Sequence, residues 1–243
     1  MPASNPSTTI LQLNNINLPN LSSIDVPFLL NFSNLEFDKA VIFIIAVMLT
    51  ITVNAEAQAF MATMLGDARE DAKDRFHFNP LLHINLAGLL CFAVAGFGWS
   101  KQIKLDTDKF KHPAIALMIV RFAGAFANLL LASIAGSILF IMKKWNLEDQ
   151  VFSIVIAVNI MVFVYSCIPV PPLAGGYIIF SIISLFFPTD FIRSTIKNFP
   201  KYIIKAIPYI FVAFLILVKI KKWTFMEEAL YPVVRYIFKF ITG

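Results

Sequence analysis

The polar side chains able to do chemistry in this chain are few, and most sit in apolar surroundings. Asn54 and Gln58 stand four residues apart in "ITVNAEAQAFMATMLGD", residues Ile51 to Asp67. On a helix that spacing puts both amides on one face, while Glu56, midway between them, points elsewhere. Two imidazoles at the same spacing could share a divalent metal; amides are neutral and weakly basic, hence poor zinc ligands. Asn54 and Gln58 are therefore expected to hydrogen-bond each other or nearby groups inside the protein. His77, His83 and His112 fall in or beside loops with no helical pairing among them. Cys91 and Cys167 lie in apolar runs and read as small core residues, since two thiols give neither a disulfide framework nor metal-ligand spacing.

Long apolar blocks must position these groups. "AVIFIIAVMLTITV" leads into the Asn54–Gln58 stretch and predicts one helix from about Phe37 to Leu65. Leu86 to Trp99 is Gly-rich and too short to span with confidence, which predicts a re-entrant or hairpin segment. Ala114 to Met142 is long enough to span. Val151 to Phe187 is a span broken by Pro169, Pro171 and Pro172, and Tyr202 to Val218 is another apolar block. The mixed charge and aromatic content of "FMEEALYPVVRYIFKFITG" predicts an amphipathic interfacial helix kinked at Pro232. Three divisions follow: an extramembrane tail over 1–36, a transmembrane domain over 37–220 and the interfacial helix over 221–243.

Composition points to a bilayer. The chain of 243 residues is 58% hydrophobic with 25 Phe and 14% charged residues, and its mean hydropathy is +0.76. Soluble domains carry roughly 25% charged residues. The formal net charge of +5 lies at the ends of apolar blocks, where it meets anionic lipid headgroups and sets topology; it does not form a nucleic-acid surface. No signal peptide is expected, because the first 36 residues hold no Lys or Arg and the first long apolar run starts near Val41. Cations cluster in three loops: Arg69, Lys73 and Arg75; Lys101, Lys104, Lys109 and Lys111; and Arg193, Lys197, Lys201 and Lys205. If Leu86 to Trp99 is re-entrant, all three share one side. That side is expected to be cytoplasmic and the N-terminus to lie on the other, in a plasma, inner or organelle membrane.

Four stretches, in order, resemble the site-2 protease family of intramembrane zinc metalloproteases. They are the helix ending in Met64-Leu65-Gly66-Asp67; "NPLLHINLAG" (Asn79 to Gly88) followed by "GFGW"; "FAGAFANLLLA" (Phe122 to Ala132); and "IPVPPLAGG" (Ile168 to Gly176). The resemblance implies an all-α polytopic membrane fold, with about four to six membrane segments. It also implies where the chemistry would have been. The family's two zinc His positions fall on Asn54 and Gln58, its Glu general base on Ala55 and its ligand Asp on Ala174. Ser166 stands where the family has Asn before the Pro motif, and Ala125 where it has Pro. The resemblance therefore implies a catalytically degenerate homologue that needs no cofactor.

Other polar positions take structural roles. Asn54, Gln58 and Ser166 are expected to fill the former metal cavity, and Asn128 and Asn159 to satisfy backbone exposed at the Pro break. Arg121, near a helix end, is expected to snorkel and, like His83, to contact lipid or a partner. Gly124 and Gly136 predict close helix packing. The function expected is a structural or accessory subunit that binds partner transmembrane helices within a larger membrane complex, its partners being other integral membrane subunits and anionic lipids. Two alternatives are an active metalloprotease with a rearranged site and a channel or transporter subunit. The first requires ligands absent from these motifs, and the second lacks an internal repeat and an intramembrane acidic relay.

Overall fold

A computed structural model describes residues 36–67, 76–145, 150–171, 173–188, 190–191, 194 and 201–243, with side chains described from 206 onward in the last stretch. Among these residues the chain is all-helical, without strands. The N-terminal tail, Pro172 and the Arg69–Arg75 and Arg193–Lys197 cations lie outside the described residues.

Among the described residues seven α-helices follow in order: α1 (Phe37–Met64), α2 (Leu86–Ala95), α3 (Pro113–Lys144), α4 (Gln150–Ser166), α5 (Ala174–Ser184), α6 (Lys201–Ile220) and α7 (Phe225–Thr242). Short 3-10 turns occupy Pro80–His83 and Thr107–Lys109. At 1.5 Å per residue α1 and α3 are about 42 and 48 Å long, and both are apolar enough to cross a membrane. Polar hydroxyls within α1 do not interrupt it. Thr50, Thr52 and Thr63 each donate to the carbonyl four residues back.

Helix α4 is the centre of the packing. It is apolar on every side and is buried almost continuously from Ile154 to Ser166, as expected of a helix with no polar face. Helices α1 and α3 pack on it and on each other, α5 packs on α3, and α2 packs on α6. One contiguous core results, including Phe43, Phe92, Phe97, Ile156, Tyr165 and Phe211. The outer sides of α1 and α3 expose Ile44, Ile45, Leu130, Ile134 and Ile141, an arrangement suited to an apolar solvent.

The segment from Leu86 to Trp99 is a hairpin. The Asn85 side chain caps α2 by accepting from Gly88 N at 2.9 Å, and Gly96, at φ +73°, ends it in the left-handed region. The chain then returns along the helix so closely that a Cβ on Gly88 would lie 2.1 Å from Trp99 O, and one on Gly98 2.2 Å from Gly88 O. Lys101 N closes the hairpin onto His83 O at 2.7 Å. Because the chain doubles back here, the end of α1 and the approach to α3 lie together, and Asp106 N donates to Asp67 Oδ2 at 3.0 Å.

Helix α7 packs along one face against α3 and α4. Near its start, Met226 and Tyr231 share a cleft with Tyr165 at the end of α4, whereas near its end Lys143 Nζ donates to Thr242 O at 3.3 Å. It therefore runs back along α4, burying Val234, Phe238 and Thr242 while Val233, Tyr236 and Phe240 stay exposed, and the helix continues through Pro232. Cys167 is exposed at the break after α4, while Cys91 is buried as expected.

Candidate functional site

The site forms where α1, α3, the returning arm of the hairpin and the start of α5 meet. Gly124 makes the α1–α3 approach possible: a Cβ there would stand 2.8 Å from Asn54 O and 2.9 Å from both Asn54 Oδ1 and Gln58 Cγ. The two amides are joined, Gln58 Nε2 donating to Asn54 Oδ1 at 2.6 Å. Ser100 Oγ, from the hairpin arm, donates to the same oxygen at 3.0 Å. Arg121 Nη1 donates to Gln58 Oε1 at 2.5 Å, which fixes which way the Gln58 amide faces. The result is a directed chain from Arg121 through Gln58 to Asn54, buried throughout.

Arg121 is thus turned inward, contrary to the snorkelling expected of it. Its Nη2 also reaches Ile103 O at 3.4 Å, and its guanidinium lies 5.3 Å from the centre of the Tyr177 ring. Burial to 9% exposure leaves it no route to a headgroup. The acceptors on Gln58 and Ile103 and the face of Tyr177 hold it in the interior instead. Tyr177 in turn donates to Gln102 Oε1 at 3.2 Å.

These residues surround a cavity of about 30 Å³ whose lining includes Asn54, Gln58, Arg121, Ser166 and Ala174. Four positions singled out by motif (54, 58, 166 and 174) therefore converge from three helices. Ala55 is fully buried beside them and is not part of the lining. Ser166 borders the cavity, and the partner that Asn54 finds beyond Gln58 is Ser100. Ser100, Trp99, Gln102 and Tyr177 were missed in the sequence. Alternating polar positions in the extended Ser100–Gln102 arm, and Tyr177 one helical turn beyond Ala174, are the signals that point to them.

Glu56 faces away from the amide pair, as helical geometry requires, and is engaged elsewhere. Its Oε1 accepts from His77 N at 2.8 Å and lies 3.1 Å from His83 Nε2. The same His83 nitrogen is 2.6 Å from His77 O, so it must carry a proton to satisfy both. His83 is buried at 6% exposure; its contact is internal, in place of the lipid or partner contact expected, because the 3-10 turn that carries it folds onto α1.

Asn128 and Asn159 are fully buried, but neither serves the Pro break. Asn159 Nδ2 donates to Val155 O in its own helix at 2.8 Å, and among the described residues neither polar atom of the Asn128 side chain has a partner. The break around Pro169 and Pro171 satisfies its own backbone through tight turns. Cys167 N, Ile168 N and Leu173 N bond to Val164 O, Tyr165 O and Val170 O. The turn lies so close over α5 that a Cβ on Gly175 would meet Cys167 O at 2.3 Å.

Zinc does not fit these donors. The side chains that the family motifs place around the metal are an amide pair, an alanine and a serine, with a guanidinium already bonded to one amide. Among the described residues no group of three or more His, Cys, Asp or Glu is placed to hold a metal ion.

Comparison with known proteins finds a relative named as a metalloprotease. Over 145 residues the chain is 34% identical to the Bacillus subtilis (strain 168) protein named "Putative zinc metalloprotease YwhC", an alignment covering 56% of this chain and 66% of that protein. This similarity supports a site-2 protease-like family, on a chain that spans just under two thirds of the relative's length. No family model matches the chain, and no solved structure matches it.

Proposed function

We propose that this protein is a non-catalytic site-2 protease homologue, embedded in a membrane as a structural or accessory subunit that holds partner transmembrane helices. The observation that carries the non-catalytic reading is the Arg121–Gln58–Asn54 chain. It supplies a fixed positive charge beside the positions where the family places a dication. A +2 ion about 4 Å from a guanidinium is repelled by roughly 8 kcal/mol at an effective dielectric constant near 20, and neutral amides offer little to offset that. Ala55 carries no group able to take a proton from water.

Membrane residence is supported by α1 and α3, each apolar over a bilayer-spanning length. The accessory role is supported by the side chains exposed on α1, α3 and α6, including Ile45, Leu49, Ile134, Ile138, Ile210 and Leu217. Where lipid does not cover these faces, another subunit's helix can pack.

The test is extraction in a mild detergent, followed by elemental analysis for zinc and mass spectrometry of co-purifying proteins. Zinc well below one per chain with stoichiometric membrane partners is the expected result. One zinc per chain overturns the non-catalytic reading; zinc-free protein without partners overturns the accessory role.

A further inference from the structure

Arg121 is a buried cation with an unmatched charge. Among the described residues no carboxylate pairs with it: its acceptors are the Gln58 amide, the Ile103 carbonyl and the Tyr177 ring. An ion taken from water without a counter-charge costs several kcal/mol even after relaxation, so the cavity beside it favours negative charge. Arg121 Nε is itself buried and without a partner among the described residues, and Arg121 lines the cavity. Helix α5 begins there as well. Its first residue, Ala174, and its cap, Leu173, are in the lining, and among the described residues no side chain caps this N-terminus. The positive end of an 11-residue helix thus adds to the guanidinium charge.

From this convergence we infer that the former metal cavity is an anion site that accepts a carboxylate. Arg121 supplies the charge and the start of α5 a fixed dipole. A cavity of about 30 Å³ admits one carboxylate headgroup and little more, given the ~10–15 Å³ needed per water. The inference rests on the same reading of the cavity as one that does not take zinc. Stoichiometric zinc ends both, whereas zinc-free protein with no response to anion ends only this one.

The experiment uses the full chain in mild detergent, with sodium formate titrated against sodium gluconate at constant ionic strength and formamide as the uncharged comparison. Formate is expected to raise Tm saturably, by about 5 °C near 100 times its Kd, and formamide to leave it unchanged. Arg121→Gln, which keeps hydrogen-bonding capacity and loses the charge, is expected to abolish the response. Gln58→Glu places a carboxylate at the position that Arg121 Nη1 already contacts; it is expected to raise Tm without formate and to remove the formate effect. A photo-cross-linker at Gln102, which lines the cavity, separates the sources of the carboxylate. A cross-linked membrane partner displaced by formate assigns it to a partner side chain, and formate binding without a cross-link assigns it to a free small anion; either upholds the site. The inference is overturned by a Tm that does not respond to formate, by a response equal to that of formamide, or by a Gln58→Glu protein that is less stable and still responds to formate.

Discussion

At the scale of single residues, Asn54, Ala55, Gln58 and Ala174 stand where the motif resemblance places the metal ligands and the base, and Arg121 goes further. Introducing the ligands alone leaves the guanidinium in the same place, with Ile103 O as its remaining acceptor. Asn54→His, Ala55→Glu, Gln58→His and Ala174→Asp combined are therefore expected to yield protein with well under one zinc per chain by elemental analysis. Adding Arg121→Leu to the four is expected to raise zinc content several-fold. Equal zinc in both proteins would show that Arg121 does not oppose the ion. The amide pair was legible in the sequence because i, i+4 spacing is a property of the helix alone. Arg121 was not. Its position near a helix end favours snorkelling, and only the close approach of α3 to α1 turns it inward. Asn128 was misjudged for the opposite reason: the Pro break satisfies its backbone locally, a matter of turn geometry that spacing does not report.

At the scale of elements, the site depends on one close crossing and one tethered turn. The crossing is at Gly124, where an added methyl would meet Asn54 backbone and side chain together. Gly124→Ala is expected to destabilise the protein by about 1–3 kcal/mol, visible as a lower Tm in detergent. An unchanged Tm would mean that the helices separate there without cost. The tethered turn is Pro80–His83, held to α1 through Glu56. A hydrogen bond to a charged group is worth about 1.5–3 kcal/mol. His83→Ala is thus expected to loosen the turn and to speed hydrogen exchange at Lys101 N, whose acceptor is His83 O; exchange as slow as in the native protein would show that the hairpin is held by other contacts. The helices themselves were readable from apolar block lengths, and α1 falls within a residue of its expected end. Helix α7 was harder, because its amphipathic pattern is the same whether the apolar face meets lipid headgroups or the side of α4.

At the scale of the whole molecule, the fold supplies a geometric reason for its proposed orientation in a membrane. Counting cations by side requires knowing whether Leu86 to Trp99 crosses or returns, and the Lys101–His83 and Asp106–Asp67 contacts show that it returns. The end of α1 and the Lys101–Lys111 cations therefore share a side. Trp145, exposed beyond the far end of the 32-residue helix α3, is on the other. If the basic loop is cytoplasmic, single cysteines at these two places must differ in access. With Cys91 and Cys167 replaced by Ala, Trp145→Cys is expected to react with a membrane-impermeant maleimide added outside intact cells or vesicles of known orientation. Lys104→Cys is expected to react only after permeabilisation. The reverse pattern would invert the proposed orientation while leaving the fold intact. Labelling of both cysteines from the same side would mean that α3 does not cross the membrane, and the membrane-subunit proposal would fail with it.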